Sequence, residues 1–264
     1  MSKLYDQLVT ILGDIKIFRY PFWMVYDPGS YKIKGPESRL VQSLLQPGDI
    51  LLRRYDGYLD GRIIGGAFSH AALYVGQVSE ADKAEAPPEG RTSRYFETGP
   101  EMVSHSTAEG VHLEDILTFL RCDGVAVLRL PKILHRCKED YPVPTDLASW
   151  HPKEQEIYER LVGGGEVAFE EVWPLAREVG MGKLGTQYDF AFKFEDGNRL
   201  SCTEYVAHAY RCLRPVMGIV PTRQAFLGGL RHQVVIRPQD YLKSVLERIH
   251  ISPSAVEPMR KYNL

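Results

Sequence analysis

Apolar positions change period several times along this chain, and each change predicts an element. Leu4, Leu8, Ile11, Leu12 and Ile15 recur at helical spacing and predict an amphipathic helix over residues 3 to 16. A stretch punctuated by proline and glycine runs from Pro21 to Pro36, and Arg39, Leu40, Val41, Leu44 and Leu45 predict a short second helix. Gln46-Pro47-Gly48-Asp49 reads as a turn feeding a strand from Ile50 to Arg53. Residues 61 to 68 suit a short helix or a loop. Ala71, Leu73 and Val75 then alternate with Ala72 and Tyr74 in a strand from His70 to Gly76.

The polar run from Ser79 to Arg94, with Pro87-Pro88, reads as an exposed loop. Met102 to Ser106 predicts a strand turned at Gly110, His112 to Leu120 a short helix, and Val125 to Leu130 a strand. Residues 132 to 152 are proline-rich and irregular. Glu154 to Leu161 and Glu166 to Val179 are helical patterns separated by Gly163-Gly164-Gly165. A helix beginning at Cys202 runs to about Leu213 and stops before Pro215. Gln233 to Arg237 reads as a late strand, and Pro238 to Ile249 as a closing helix with proline at its start. Strands and helices in this mixed order predict an α+β chain, and no internal repeat interrupts it.

Composition narrows the function classes. The 264 residues suffice for one large domain, and 44% hydrophobic with 25% charged residues is ordinary globular composition. A formal net charge of −2 gives no global reason to expect nucleic-acid or anionic-membrane binding, and pairs such as Arg53-Arg54 are too short to alter that. No run is long and apolar enough to span a bilayer, and Met1-Ser2-Lys3-Leu4 does not open a secretory signal. Cys122, Cys137, Cys202 and Cys212 show neither C-x-x-C spacing nor a dense framework, so a reducing, cytoplasmic setting is expected.

Cys202 stands out among possible nucleophiles. Ser201 is a good N-cap, and Glu204 three residues later completes a capping box. A thiol on the first helical turn lies at the positive end of the helix dipole, which favours the thiolate. The helix by itself does not separate this reading from that of a small buried core cysteine. Cys122 precedes a strand, Cys137 lies in an irregular basic segment, and Cys212 is near a helix C-terminus where the dipole opposes a thiolate. A cysteine hydrolase also needs an imidazole and a group that orients it. His70 opens a strand before the small pair Ala71-Ala72, and His105 lies within Val103-Ser104-His105-Ser106. His112 and His250 read as surface positions, His135 and His151 flank the irregular segment, and His232 precedes a strand. His208 lies on another face of the Cys202 helix. Spacing alone selects none of the eight.

No cysteine–histidine pair has metal-ligand spacing, so no metal and no cofactor are expected. Gly180-Met181-Gly182-Lys183-Leu184 is not a phosphate-binding loop, because the upstream glycine is missing and Leu184 stands where Ser or Thr is required. No acidic pair is spaced for glycosidase chemistry.

Three segments in this order resemble a known family. They are Pro47-Gly48-Asp49-Ile50-Leu51-Leu52, then Phe68-Ser69-His70-Ala71-Ala72-Leu73-Tyr74-Val75-Gly76, and last Tyr188-Asp189-Phe190 followed by Leu200-Ser201-Cys202-Thr203-Glu204-Tyr205-Val206. Together they resemble the circularly permuted, YiiX-like branch of the NlpC-type papain-like cysteine peptidases and amidases, in which the histidine strand precedes the cysteine helix. Val235-Ile236-Arg237-Pro238-Gln239-Asp240 is similar to that branch's ending. The resemblance covers roughly residues 46 to 130 and 185 to 245.

It implies a papain-like α+β fold, an antiparallel sheet packed on helices, with Cys202 as nucleophile and His70 as general base. It points to His105 as the third polar group, with Glu101 and Glu97 as alternatives. Tyr188 matches a tyrosine near the nucleophile, though simple core packing serves that residue equally. Residues 1–45 become an N-terminal helical extension, 46–250 the permuted domain with an insertion at 132–184, and 251–264 a C-terminal tail. Thr203 departs from the serine often found after the cysteine.

Three functions follow as expectations. The first is a cysteine hydrolase acting on a peptide or acylated amine. The second is acyl transfer on lipids, or thiol-dependent lipid hydrolysis, as in lecithin–retinol acyltransferase-like proteins. Those also place histidine before cysteine and often use a second histidine, but their Asn-Cys-Glu-His-Phe signature is absent. The third is a non-catalytic module binding a small molecule or lipid. Partners are then the substrate, with peripheral membrane contact left open and no nucleic acid; oligomeric state is not readable.

Overall fold

The computed structural model describes residues 16–18, 23–25, 31–56, 66–136, 143–190, 197–226 and 231–264, the backbone alone at 16–18, 23–25, 223–226 and 231–233. The helix expected over residues 3 to 16 lies outside the described residues apart from Lys16, which opens a short strand, and so does Cys137. Strands β1 (Lys16–Phe18) and β2 (Trp23–Val25) pair with each other. Helix α1 (Gly35–Leu44) precedes the Gln46–Asp49 turn.

Six antiparallel strands form the central sheet: β3 (Ile50–Arg54), β4 (His70–Val78), β5 (Gly99–Thr107), β6 (Gly110–Asp115), β7 (Gly124–Arg129) and β12 (Glu247–Ile251), in spatial order β12-β7-β3-β4-β5-β6. The central strands alternate between two apolar faces, as period 2 requires. Ile50, Leu52, Ala71, Leu73, Met102, Leu113, Ala126 and Leu128 belong to the larger cluster. Leu51, Ala72, Tyr74, Val103, Val125 and Val127 belong to the smaller one, closed by Val41, Ile116, Phe119 and Cys122. An α+β architecture with an antiparallel sheet covered on both faces is therefore observed.

Helices α3 (Pro152–Val162), α4 (Phe169–Met181) and α5 (Cys202–Ala209) contribute to the larger cluster through Ile157, Leu161, Val172, Ala176, Met181, Tyr205 and Val206. Residues between 132 and 184 thus belong to the main core. Short strands β8 (Ile133–Leu134) and β9 (Val167–Ala168) tie the ends of that segment together. Arg211 donates to both carboxylate oxygens of the buried Glu154, at 2.9 and 2.6 Å, linking α3 to the turn after α5.

Several boundaries differ from the pattern read along the chain. Residues 110–115 extend as β6, and only Ile116–Phe119 form helix α2, capped by the Asp115 carboxylate taking the Leu117 N–H. Val111 and Leu113 alternate with His112 and Glu114, a two-residue period that was masked by apolar Ile116 and Leu117 downstream. Residues 79–94 contain two 3-10 turns within the polar run. The Cys202 helix ends at Ala209, and Pro215 sits in the first turn of a new helix, α6 (Arg214–Met217), where a missing N–H costs nothing. Strand β10 (Thr222–Phe226) pairs with β11 (Arg231–Val235). The expected closing helix over 238–249 is instead a 3-10 turn, Pro238–Lys243, followed by edge strand β12. Helix α7 (Pro253–Lys261) then buries Ala255 and Met259 in the core.

Candidate functional site

One row of polar side chains crosses the smaller apolar face. Arg53 on β3 is directly opposite His70 on β4, and His105 on β5 is directly opposite His112 on β6, with Glu114 two residues further along. Strand alternation sends all five to the side occupied by Leu51, Ala72, Val103 and Phe119. Polar residues on an apolar face require mutual partners, and each of these five has a polar neighbour in the row. His70 Nε2 is 2.8 Å from His105 Nδ1. Arg53 Nη1 is 3.3 Å from Glu114 Oε2, and its guanidinium lies 4.6 Å from the centre of the Phe119 ring. His105 is fully buried, its ring 4.4 Å from that of His112 and 5.7 Å from that of Phe119.

Cys202 arrives from the opposite face, at the first position of α5. Ser201 Oγ accepts the Glu204 N–H at 3.4 Å, and the Glu204 carboxylate accepts the Ser201 N–H at 2.7 Å, so the capping box is formed. Tyr205 O–H donates to Ser104 Oγ at 2.6 Å and anchors α5 over β5. The β4–β5 ladder runs from Leu73↔Ser104 to Val78↔Gly99 and does not reach His70 or Ala71. Where the ladder stops, Ser106 Oγ donates to the Leu200 carbonyl at 2.6 Å, and the backbone N–H groups of Ala71 and Thr203 face the Cys202 sulfur closely enough to favour its thiolate. The start of α5 is thus wedged between the ends of two strands, and this brings the thiol to the residue next to His70.

Among the described residues no hydrogen bond joins the Cys202 sulfur to the His70 imidazole, and the groups that favour its thiolate are these backbone N–H groups and Arg53. Burial pushes the Cys202 thiol up to about 11, with the Ala71 and Thr203 N–H groups and the Arg53 charge pulling the other way. Burial, then the Arg53 charge and His112, hold His70 well below 6.5; burial, then His112 and Arg53, do the same for His105. At neutral pH the resting site therefore combines a neutral thiol with two neutral imidazoles. The helix dipole alone does not make a thiolate here, because desolvation of a 4% exposed cysteine outweighs it.

The remaining candidates fall elsewhere. Glu101 accepts from Gln42 Nε2 at 2.6 Å at the far end of β5, and Glu97 is exposed. The carboxylate beside His105 is Glu114, with Oε2 3.5 Å from His105 Nε2. Tyr188 is half-buried with its ring 4.9 Å from that of Phe190. Cys122 and Cys212 are buried thiols pushed up to about 12, chiefly by burial. His112 is not a plain surface residue, since it stands in the polar row. Reading 112–120 as helix hid both His112 and Glu114; the His105-x6-His112 spacing around a Gly110 turn was the available signal. Gly110, at φ +108°, places the hairpin so tightly that an added Cβ would meet the Thr186 carbonyl at 2.6 Å. Val111 N–H donates to that same carbonyl at 2.8 Å, tying the hairpin to the segment that leads into α5.

Among the described residues no helix is long and apolar enough to cross a membrane. No known protein family matches this chain, and no curated protein matches it.

Proposed function

We propose that the chain is a cysteine-dependent hydrolase that cleaves an amide bond by acyl transfer through Cys202. The observation that carries this reading is the wedge of α5 between β4 and β5, which brings the Cys202 sulfur toward the Ala71 N–H, next in the chain to a His70 already hydrogen-bonded to His105. In this reading His105 orients the His70 ring through Nε2 and leaves Nδ1 to take the thiol proton as sulfur attacks the carbonyl. Proton transfer during attack suits a thiol whose resting form is neutral. The imidazolium then returns the proton to the leaving amine, and water releases the acyl group. The Cys202 N–H, at the start of the helix, is available to the developing oxyanion.

A second reading, acyl transfer on lipids, is favoured by the pairing of two histidines in place of histidine and carboxylate. The two share their first half-reaction. An activated aryl ester should acylate Cys202 in the full chain, detected by intact mass and peptide mapping. Cys202→Ala should abolish the adduct and His70→Ala should slow it by about a hundredfold or more. Equal labelling of Cys122, Cys202 and Cys212, or an unchanged rate in His70→Ala, overturns the reading. Short peptides against acylated lipids as donors then separate the two substrate classes.

A further inference from the structure

The hairpin of β5 and β6 carries side-chain atoms that the acyl-transfer chemistry does not use: Nε2 of His105, and the His112 and Glu114 side chains. The Nε2 atom of the fully buried His105 has no hydrogen-bond partner, and the Glu114 carboxylate, at 3.5 Å, is too far to be one. Burying such an atom unpaired is costly. His112 stands directly across the hairpin, and its Nδ1 donates to the Gly110 carbonyl at 3.0 Å, which leaves the Nε2 lone pair free to bind. One ligand atom each from His105, His112 and Glu114 lies within 4.8 Å of the others. We propose that His105 Nε2, His112 Nε2 and the Glu114 carboxylate form a binding site for a divalent transition-metal ion, with zinc as the ion that fits best.

Each feature has a counterpart in metal chemistry. Two imidazoles and one carboxylate suit zinc and its neighbours over magnesium or calcium, which take mostly oxygen. A ligating histidine usually gives its other nitrogen to a second partner that fixes the ring; His112 has the Gly110 carbonyl and His105 has His70. Ligands about 2.1 Å from a tetrahedral ion lie about 3.4 Å apart, so atoms now within 4.8 Å of one another must draw together by up to about 1.4 Å. His112 and Glu114 are both partly exposed and have room to rotate toward the fixed His105. Arg53 beside Glu114 opposes a second cation, but a carboxylate has two oxygens and can serve both.

Binding would act on the catalytic pair through a proton, a consequence that rests on the hydrolase reading although the site itself does not. With metal on His105 Nε2, the His105 proton must sit on Nδ1 and be donated to His70 Nε2. His70 then carries its own proton on Nδ1, the nitrogen that would otherwise accept from Cys202. Metal occupancy and general-base function at His70 are therefore mutually exclusive, and zinc acts as an inhibitor.

Calorimetric titration of the chelator-treated full chain with zinc should show one equivalent bound. The affinity should fall at least tenfold in His112→Asn and in Glu114→Gln, both partly exposed positions chosen because the fully buried His105 tolerates substitution poorly. Cobalt substitution should give ligand-field bands of a nitrogen–oxygen site. Absence of zinc binding at micromolar concentrations, equal binding in both variants, or a thiolate-to-cobalt charge-transfer band overturns the site. Zinc slowing Cys202 acylation in the native chain and not in His112→Asn supports the proton coupling, and equal slowing in both overturns it. A chain that never acylates refutes the hydrolase reading, while the calorimetry still decides the metal site.

Discussion

At the scale of single residues, burial decides the chemistry more than sequence context does. Cys202 has the cap and the dipole of an activated thiol, yet desolvation keeps it protonated at neutral pH. The same force acts on His208, on the α5 face away from the site, whose Nε2 is buried without a partner and whose pKa is lowered to about 3, by burial first and then by Lys183, Arg211 and Arg214. An unfolded chain binds a proton at this histidine near 6.5 and the folded chain does not, so its contribution to stability is complete above 6.5. It is lost as pH falls from 6.5 toward about 3. A tenfold weakening of proton binding is equivalent to about 1.4 kcal/mol, so the loss amounts to a few kcal/mol across that window. Denaturant unfolding at pH 7.5 and pH 5 should show a smaller acid loss in His208→Gln than in the native chain; an identical loss in both would refute this assignment. The position of Cys202 was legible because a capping box is written in four adjacent residues. Arg53 and Glu114 were not legible as neighbours of the histidines, because cross-strand register brings them there.

At the scale of elements, two devices hold the site. The first is the cap of α5: Ser201→Ala leaves the Glu204 N–H without its acceptor and should cost about 1 kcal/mol. Chemical denaturation measures this, and Ser201→Thr should recover most of the loss. The second is the turn before β3, where buried Asp49 accepts two bonds from Arg129, at 2.7 and 2.8 Å, and the Gln46 N–H at 2.8 Å. Arg129→Met strands a carboxylate with no exposed surface and should destabilise the chain by about 3–5 kcal/mol, whereas Asp49→Asn with Arg129→Met should recover part of it. Thermal melts of the single and double variants check the pair. The Pro47-Gly48-Asp49 segment announced a turn and a strand in the sequence, but not that its aspartate anchors β7. That partner is 80 residues away in the chain.

At the scale of the whole molecule, the sheet works as a partition. Its larger face carries α5 and the thiol, its smaller face carries the imidazoles, and the two meet only where the β4–β5 ladder ends. Residues 132–184 complete the larger face, and β12 with α7 covers the sheet beyond β7, so segments remote from the candidate site complete both sides of the partition. The sequence alone determined the α+β class, the strands beginning at Ile50 and His70, and the capped helix beginning at Cys202, because these depend on periodicities and contacts within a few residues. Tertiary structure alone decided that 112–115 and 247–251 are strands, since both are recruited by pairing with β5 and β7. It also decided that His70, His105, His112, Arg53 and Glu114 form one row, because register and alternation of paired strands assemble that row from residues up to 61 positions apart.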